Sequence, residues 1–163
     1  MILTEAYERT LDSKHRFQLP LDFRNRLETD GAGTPFYVCP GERANMLAFY
    51  PINEFEKLVR SLKTRSIASD EALAFEQFFF SMTSRLRMDP QGRVVLPERQ
   101  LTVFNMGKDI TLAGANDRID IWRTTDYHEF VKSGAAEHWP KGRRFLRVPT
   151  SSEWEEKASS AVV

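Results

Sequence analysis

The strongest constraint on this chain is that part of it occurs twice. Thr10-Leu-Asp-Ser-Lys-His-Arg-Phe-Gln-Leu-Pro20 aligns with Arg87-Met-Asp-Pro-Gln-Gly-Arg-Val-Val-Leu-Pro97. The alignment matches Asp12 with Asp89, Arg16 with Arg93, Leu19 with Leu96 and Pro20 with Pro97. Further on, Met46-Leu-Ala-Phe-Tyr-Pro-Ile-Asn-Glu-Phe-Glu-Lys-Leu58 resembles Arg118-Ile-Asp-Ile-Trp-Arg-Thr-Thr-Asp-Tyr-His-Glu-Phe130, pairing Tyr50 with Trp122 and Phe55 with Tyr127. The offset between the copies falls from 77 to 72 positions, so the first carries about five extra residues, placed in the Gly/Pro-rich stretches 31–35 and 40–45. Self-similarity of this kind describes a duplicated supersecondary unit.

Each copy reads as a hairpin, a short helix, a further pair of strands and a closing helix. Asp89-Pro-Gln-Gly92 has the chemistry of a type I turn, with Asp at the first position, Pro at the second and Gly at the fourth. Gly92 then supplies the left-handed residue of a three-residue hairpin with a bulge. The first copy has His15 at that place, which tolerates a positive φ at some cost relative to Gly. After each turn the side chains alternate. Phe17 and Leu19 oppose Arg16 and Gln18, and Val94 and Leu96 oppose Arg93 and Val95. Pro20 and Pro97 stop the strands and suit the start of short helices. The runs 36–39, 47–50, 110–113 and 119–122 read as further strands.

Between the copies, residues 70–86 carry Leu73, Phe75, Phe78, Phe79, Met82 and Leu86 at helical spacing, with Phe80 making the end apolar nearly all round. That pattern points to burial against both copies or to a subunit interface. The expected organisation is a first unit over 1–62, a connecting helical segment over 63–86, a second unit over 87–132 and a partly disordered C-terminal extension over 133–163. In that extension Lys141, Arg143, Arg144 and Arg147 form a basic run, followed by Glu153, Glu155 and Glu156. A solvated tail is the simpler reading, and a supplementary phosphate-binding arm the sharper one.

Bulk properties narrow the class. With 163 residues, 41% hydrophobic and 28% charged, the chain is ordinary globular material. No apolar run approaches the ~18–20 residues of a membrane helix, and the N-terminus lacks the pattern of a secretory signal. A cytoplasmic protein is the simplest expectation. A single cysteine, Cys39, excludes an internal disulfide and a Cys-based zinc cluster. It falls in an apolar strand, which suits a small buried hydrophobe. The 23 basic and 23 acidic residues cancel, which argues against a uniformly basic nucleic-acid binder. The charges are not evenly placed, however. From Arg9 to Arg26 the basic residues Arg9, Lys14, Arg16, Arg24 and Arg26 face only Asp12 and Asp22.

An Asp and an Arg four apart across a tight turn do two separable jobs. Asp12 and Asp89 accept bonds from turn N–H groups, fixing its shape. Arg16 and Arg93 emerge on the polar strand face, able to pair with a carboxylate or to grip a phosphate bidentately. From spacing alone a structural ion pair is the simpler of the two.

At residues 10–20, at 89–97 and at Phe78-Phe-Phe-Ser-Met82 the sequence resembles the MraZ family, bacterial regulators made of two SpoVT/AbrB-like units. Asn116-Asp-Arg-Ile-Asp-Ile-Trp122 and Ala48-Phe-Tyr-Pro51 add to the match. The resemblance covers roughly Tyr7 to Val131. It implies an α+β, mainly β fold, in which two pseudo-symmetric swapped-hairpin units form a β-barrel with peripheral helices. It also implies closed rings of subunits that bind repeated boxes in double-stranded promoter DNA, upstream of the division and cell-wall gene cluster, and so a nucleoid-associated location. Carried over, Lys14 and Arg16 of the first copy and Arg93 of the second are the expected DNA contacts, with Asp12 and Asp89 holding the turns. His15 and Arg24 are expected beside them on the DNA-facing surface, and Gly92 as a further turn-fixing residue. No cofactor or metal is implied. The chain departs from the family pattern at His15, where Gly is usual, and in its C-terminal extension. Because the second turn element holds one cation, the first is expected to dominate phosphate contact.

Against an enzyme, the chain lacks a phosphate-binding Gly-x-x-x-x-Gly-Lys-Ser/Thr loop, a Gly-x-Ser-x-Gly elbow and a His-Glu-x-x-His motif. His15, His128 and His138 show no metal-ligand spacing. The other non-enzymatic reading is an oligomeric, antidote-like module that binds a protein through the same barrel.

Overall fold

A computed structural model describes residues 1–27, 33, 35–62 and 69–146. Among the described residues there are eight strands and six α-helices, and all but two of the helices follow the repeat. The first copy runs through β1 (Ala6–Thr10), β2 (Arg16–Gln18), α1 (Leu21–Leu27), β3 (Phe36–Pro40), β4 (Met46–Pro51) and α2 (Ile52–Ser61). After α3 (Asp70–Ser81), the second runs through β5 (Ser84–Leu86), β6 (Arg93–Val95), α4 (Glu98–Val103), β7 (Asp109–Gly114), β8 (Ile119–Arg123) and α5 (Thr124–Ser133). A five-residue π-helical turn, the short α6 (Trp139–Gly142) and a 3-10 turn continue the chain to Leu146. By packing, the described residues up to Tyr127 form one compact unit and those from His128 to Leu146 belong to another.

The fold is mixed α and β, dominated by antiparallel pairing. Six strands make one sheet in the order β1-β7-β8-β4-β3-β5, and β2 pairs with β6 in a separate ribbon. Under exchange of the copies, the order of the large sheet reads the same in both directions. Its centre is the β4–β8 pair, with Met46 opposite Trp122 and Phe49 opposite Ile119. The arms of each Asp-x-x-x-Arg turn part immediately, which differs from a simple hairpin. β1 leaves to pair with β7 of the other copy, Ala6 opposite Ala113, while β2 pairs with β6. In the second copy β5 pairs with β3, Phe36 opposite Leu86. For β1, β2 and β5 the pairing strand therefore comes from the other repeat.

The alternation read from the sequence places the core. Phe17, Leu19, Val94 and Leu96 are at most 2% exposed, and each contributes about 1.5–3 kcal/mol by leaving water. They join Phe23, Phe36, Val38, Leu47, Phe49, Ile110, Leu112, Ile119 and Ile121 in the main cluster. A second cluster gathers Cys39, Ala48, Tyr50, Phe55 and Phe79. Matched aromatics occupy matched environments: Tyr50–Phe55 and Trp122–Tyr127 are both edge-on pairs, at 6.2 and 5.8 Å between centroids.

Two expectations are corrected. The helical spacing over 70–86 holds only to Ser81, after which Ser84–Leu86 is a strand. Met82 N donates back to the Phe78 carbonyl and the Thr83 hydroxyl to that of Phe79, closing the helix, and β5 then satisfies its backbone against β3. Burial of α3 within the chain is also corrected, because only Phe79 among its aromatics is buried. Leu73, Phe75, Phe78 and Phe80 are 38–54% exposed.

Beyond Ser133 the described part of the extension is helical, with Trp139, Phe145 and Leu146 exposed. Arg147, Glu153, Glu155 and Glu156 lie outside the described residues, as does most of 31–35. Among the described residues, no helix is long and apolar enough to cross a membrane.

Candidate nucleic-acid interface

Both turns are built alike. Asp12 Oδ1 accepts from the backbone N–H of Lys14 at 2.8 Å and of Arg16 at 2.9 Å, while Arg16 Nε donates to Asp12 Oδ2 at 2.7 Å. In the second copy Asp89 Oδ1 accepts from Gln91 N at 3.0 Å and Arg93 N at 2.8 Å, and Arg93 Nε donates to Asp89 Oδ2 at 2.7 Å. The fourth residue of each turn is left-handed, with φ of 58° at His15 and 79° at Gly92. Both jobs read from the motif therefore coexist in each turn. One carboxylate oxygen holds the backbone, and the other orients the guanidinium.

These bonds favour ionised carboxylates. The Arg16 N–H, followed by the Arg16 side chain and the Lys14 N–H, lowers the Asp12 pKa to about 2 against the opposing effect of desolvation. Asp89 is lowered in the same way, with the Arg93 N–H as the largest cause.

The turns lie side by side because their following strands pair. Arg16 stands opposite Val95, Phe17 opposite Val94 and Gln18 opposite Arg93. Reciprocal bonds extend the pairing, from Leu96 N to the His15 carbonyl and from Leu19 N to that of Gly92, each 3.0 Å. With Phe17 and Val94 turned inward, Arg16, Gln18, Arg93 and Val95 share the outer face. Among the described residues, Arg16 bonds to Asp12 through Nε, with no hydrogen bond from its terminal nitrogens. Arg93 also reaches Gln91 Oε1, at 3.4 Å.

The remaining expected site residues distribute unevenly. Lys14 sits at the tip of the first turn, and His15 lines an open hollow of about 500 Å³ beside it with Glu98, Leu101 and Lys108. Arg24, grouped by sequence with the first turn, lies against the second. Its Nη1 is 3.4 Å from the Gln91 carbonyl, and a Cβ at Gly92 would stand 2.5 Å from its guanidinium carbon. Of the other cations in the basic stretch, Arg26 binds Asp22 and the Ile2 carbonyl, and Arg9 binds the carbonyls of Gln18 and Glu8. Sequence reasoning missed Gln18, whose side-chain amide donates to the Gln91 carbonyl at 2.7 Å. Its only signal was its outward place in the alternation.

Elsewhere, burial raises the Cys39 thiol pKa to about 12, the behaviour of an inert buried thiol. Among the described residues, no group of three His, Cys, Asp or Glu side chains is placed to hold a metal ion.

Fold and site together define a tandem-repeat α+β protein organised around two interlocked Asp-x-x-x-Arg turns. A family model described as "MraZ protein, putative antitoxin-like" matches residues 79–148. The transcriptional regulator MraZ of Clostridium tetani is 34% identical over 124 residues, covering 76% of this chain and 83% of the relative. Those of Caldanaerobacter subterraneus and Mycoplasmopsis pulmonis are 31% identical over 132 residues and 32% over 133, covering 81% and 82% of this chain and 88% and 86% of the relatives. The chain belongs to the MraZ family.

Proposed function

We propose that this protein is a non-enzymatic, DNA-binding transcriptional regulator whose paired turns face duplex DNA. The observation that carries this reading is the interlocking of the two turns, which sets the guanidiniums of Arg16 and Arg93 on one outer face, each braced by its own aspartate. Bracing through Nε pre-orients a guanidinium without consuming its terminal donors, the arrangement that favours bidentate contact with phosphate or a guanine edge. Lys14 and Arg24 add cations at the two turns, His15 lies at the first tip, and Asp12, Asp89 and Gly92 keep the turns in shape. The names of the relatives support transcriptional regulation.

Residues 1–62 and 87–132 act as two swapped-hairpin units whose ribbon and sheet close as a barrel, joined by 63–86 and followed by the extension from 133. Palindromic strand order and the exchange of β1 and β5 support this. A single pair of turns makes few contacts, so the working form is a closed ring of subunits on repeated promoter boxes, gaining affinity through multivalency. The boxes lie upstream of the division and cell-wall gene cluster, and the protein works in the cytoplasm at the nucleoid.

The test is binding of the pure protein to DNA upstream of its own gene at two salt concentrations. Affinity falls steeply with salt if phosphates are gripped, because each neutralised phosphate releases counterions. Arg16→Ala lowers affinity by about tenfold or more, while the oligomer and the melting temperature stay nearly unchanged. Unfolding or dissociation with unaltered affinity per folded subunit would make Arg16 purely structural. Absence of salt-dependent binding would favour the antidote-like, protein-binding module to which the family description alludes.

A further inference from the structure

The exchange of strands surrounds each turn with residues of the other copy, and the two surroundings differ. The 77-position offset identifies the equivalents. Around the second turn the first copy places Gln18 and Arg24. At the equivalent places around the first turn the second copy has Val95 and Leu101. Val95 is 50% exposed and Leu101 is buried beside the open hollow. The contacts are equivalent as well as the positions, since the Leu19–Gly92 and Leu96–His15 bonds are the same bond made twice.

At the second turn the Arg24 guanidinium lies face-on to Gly92. A Cβ there would be 2.5 Å from its Cζ and Nη1 and 2.6 Å from its Nε. Gly92 is therefore required twice, by its φ of 79° and by this close approach. Gln91 is flanked by two guanidiniums, Arg24 at its backbone carbonyl and Arg93 at its side-chain oxygen, each at 3.4 Å, and Gln18 donates to the same carbonyl at 2.7 Å. The first turn has instead the ammonium of Lys14 on a flexible stem, next to a hollow whose lining includes both Lys108 and Glu98. Two planar forks held in place lose less freedom on gripping a phosphate than one fork and a mobile ammonium.

We propose that the second turn, completed in trans by Arg24 and Gln18, is the main phosphate-gripping point of the molecule, reversing the weighting expected from the sequence. This rests on the DNA-binding reading above. The decisive variant is Arg24→Leu, which installs the residue standing at the equivalent place in the second copy and keeps an apolar stem. Binding to the upstream duplex is measured across a salt series beside Lys14→Ala and wild type, with thermal melting as the folding control. Arg24→Leu is expected to weaken binding about tenfold or more and to reduce the salt slope by about one, with Lys14→Ala losing less than about threefold. Should Arg24→Leu fail to fold, Gln18→Ala and Arg24→Lys carry the test. Both then weaken binding more than Lys14→Ala, and Arg24→Lys retains the wild-type slope. Wild-type affinity and slope in Arg24→Leu, or a larger loss in Lys14→Ala, overturns the proposal while leaving DNA binding intact. Salt-independent binding by the wild type instead removes the reading on which it rests.

Discussion

At the fourth position of its turn each copy solves the same backbone problem with a different residue. His15 holds a φ of 58° where Gly92 holds 79°, and a side chain in the left-handed region costs about 1–2 kcal/mol. Part of that cost is offset because glycine has more freedom to lose on folding. His15→Gly is therefore expected to stabilise the fold by about 1 kcal/mol, read as a higher urea midpoint at unchanged slope. The reciprocal Gly92→His destabilises by more, since it adds a collision with Arg24 to the backbone strain. The aspartates of the two turns set a pH dependence. Their folded pKa values lie below the unfolded value of about 3.9, Asp12 at about 2. Depressed carboxylates contribute stability above the unfolded pKa and lose it as pH falls through the folded one. The urea midpoint should thus hold above about pH 4 and drop toward pH 2, and Asp12→Asn should flatten the drop while lowering the plateau.

At the scale of elements, the legible features were those set by local chemistry. Alternation around Phe17 and Val94, the turn residues at Asp89–Gly92 and the apolar runs at 36–39 and 119–122 each constrain a few neighbours, and β2, β6, β3 and β8 lie where these patterns put them. What sequence could not give is which strand pairs with which. Nothing local to Ala6–Thr10 names Asp109–Gly114 as its partner, so the turns read as ordinary hairpins. The end of α3 was lost for a related reason. Met82 and Leu86 fit a helical period, but Leu86 belongs to a strand whose backbone is drawn to β3, a non-local demand. The placement of Arg24 followed the same logic, since chain proximity assigned it to one turn and strand exchange to the other. Gln100 shows the limit of the repeat itself. It is fully buried where the first copy has the fully buried Phe23, and its amide caps the carbonyls of Val38 and Met82 at 3.0 and 2.7 Å. A polar residue suits that place because the carbonyls of Val38 and Met82 near the β3–β5 junction need donors.

For the whole molecule, exchange makes each copy dependent on the other. The strands β1 and β3 have their outer partners in the second copy, so an isolated monomer of residues 1–62 has unsatisfied edges and half a core. Such a fragment is expected to show no cooperative transition as a monomer. It folds only by pairing with another copy of itself, which makes its melting temperature rise with protein concentration. A concentration-independent transition would show that the units are self-sufficient.

Two identical chains related by a twofold axis present the same surface forwards and backwards, which is why symmetric dimers read palindromes. Here Gln18 answers to Val95, Arg24 to Leu101 and His15 to Gly92, so rotating the molecule by half a turn does not restore it. Such a protein has a head and a tail. On a duplex bound as proposed, such a molecule would distinguish one strand direction from the other.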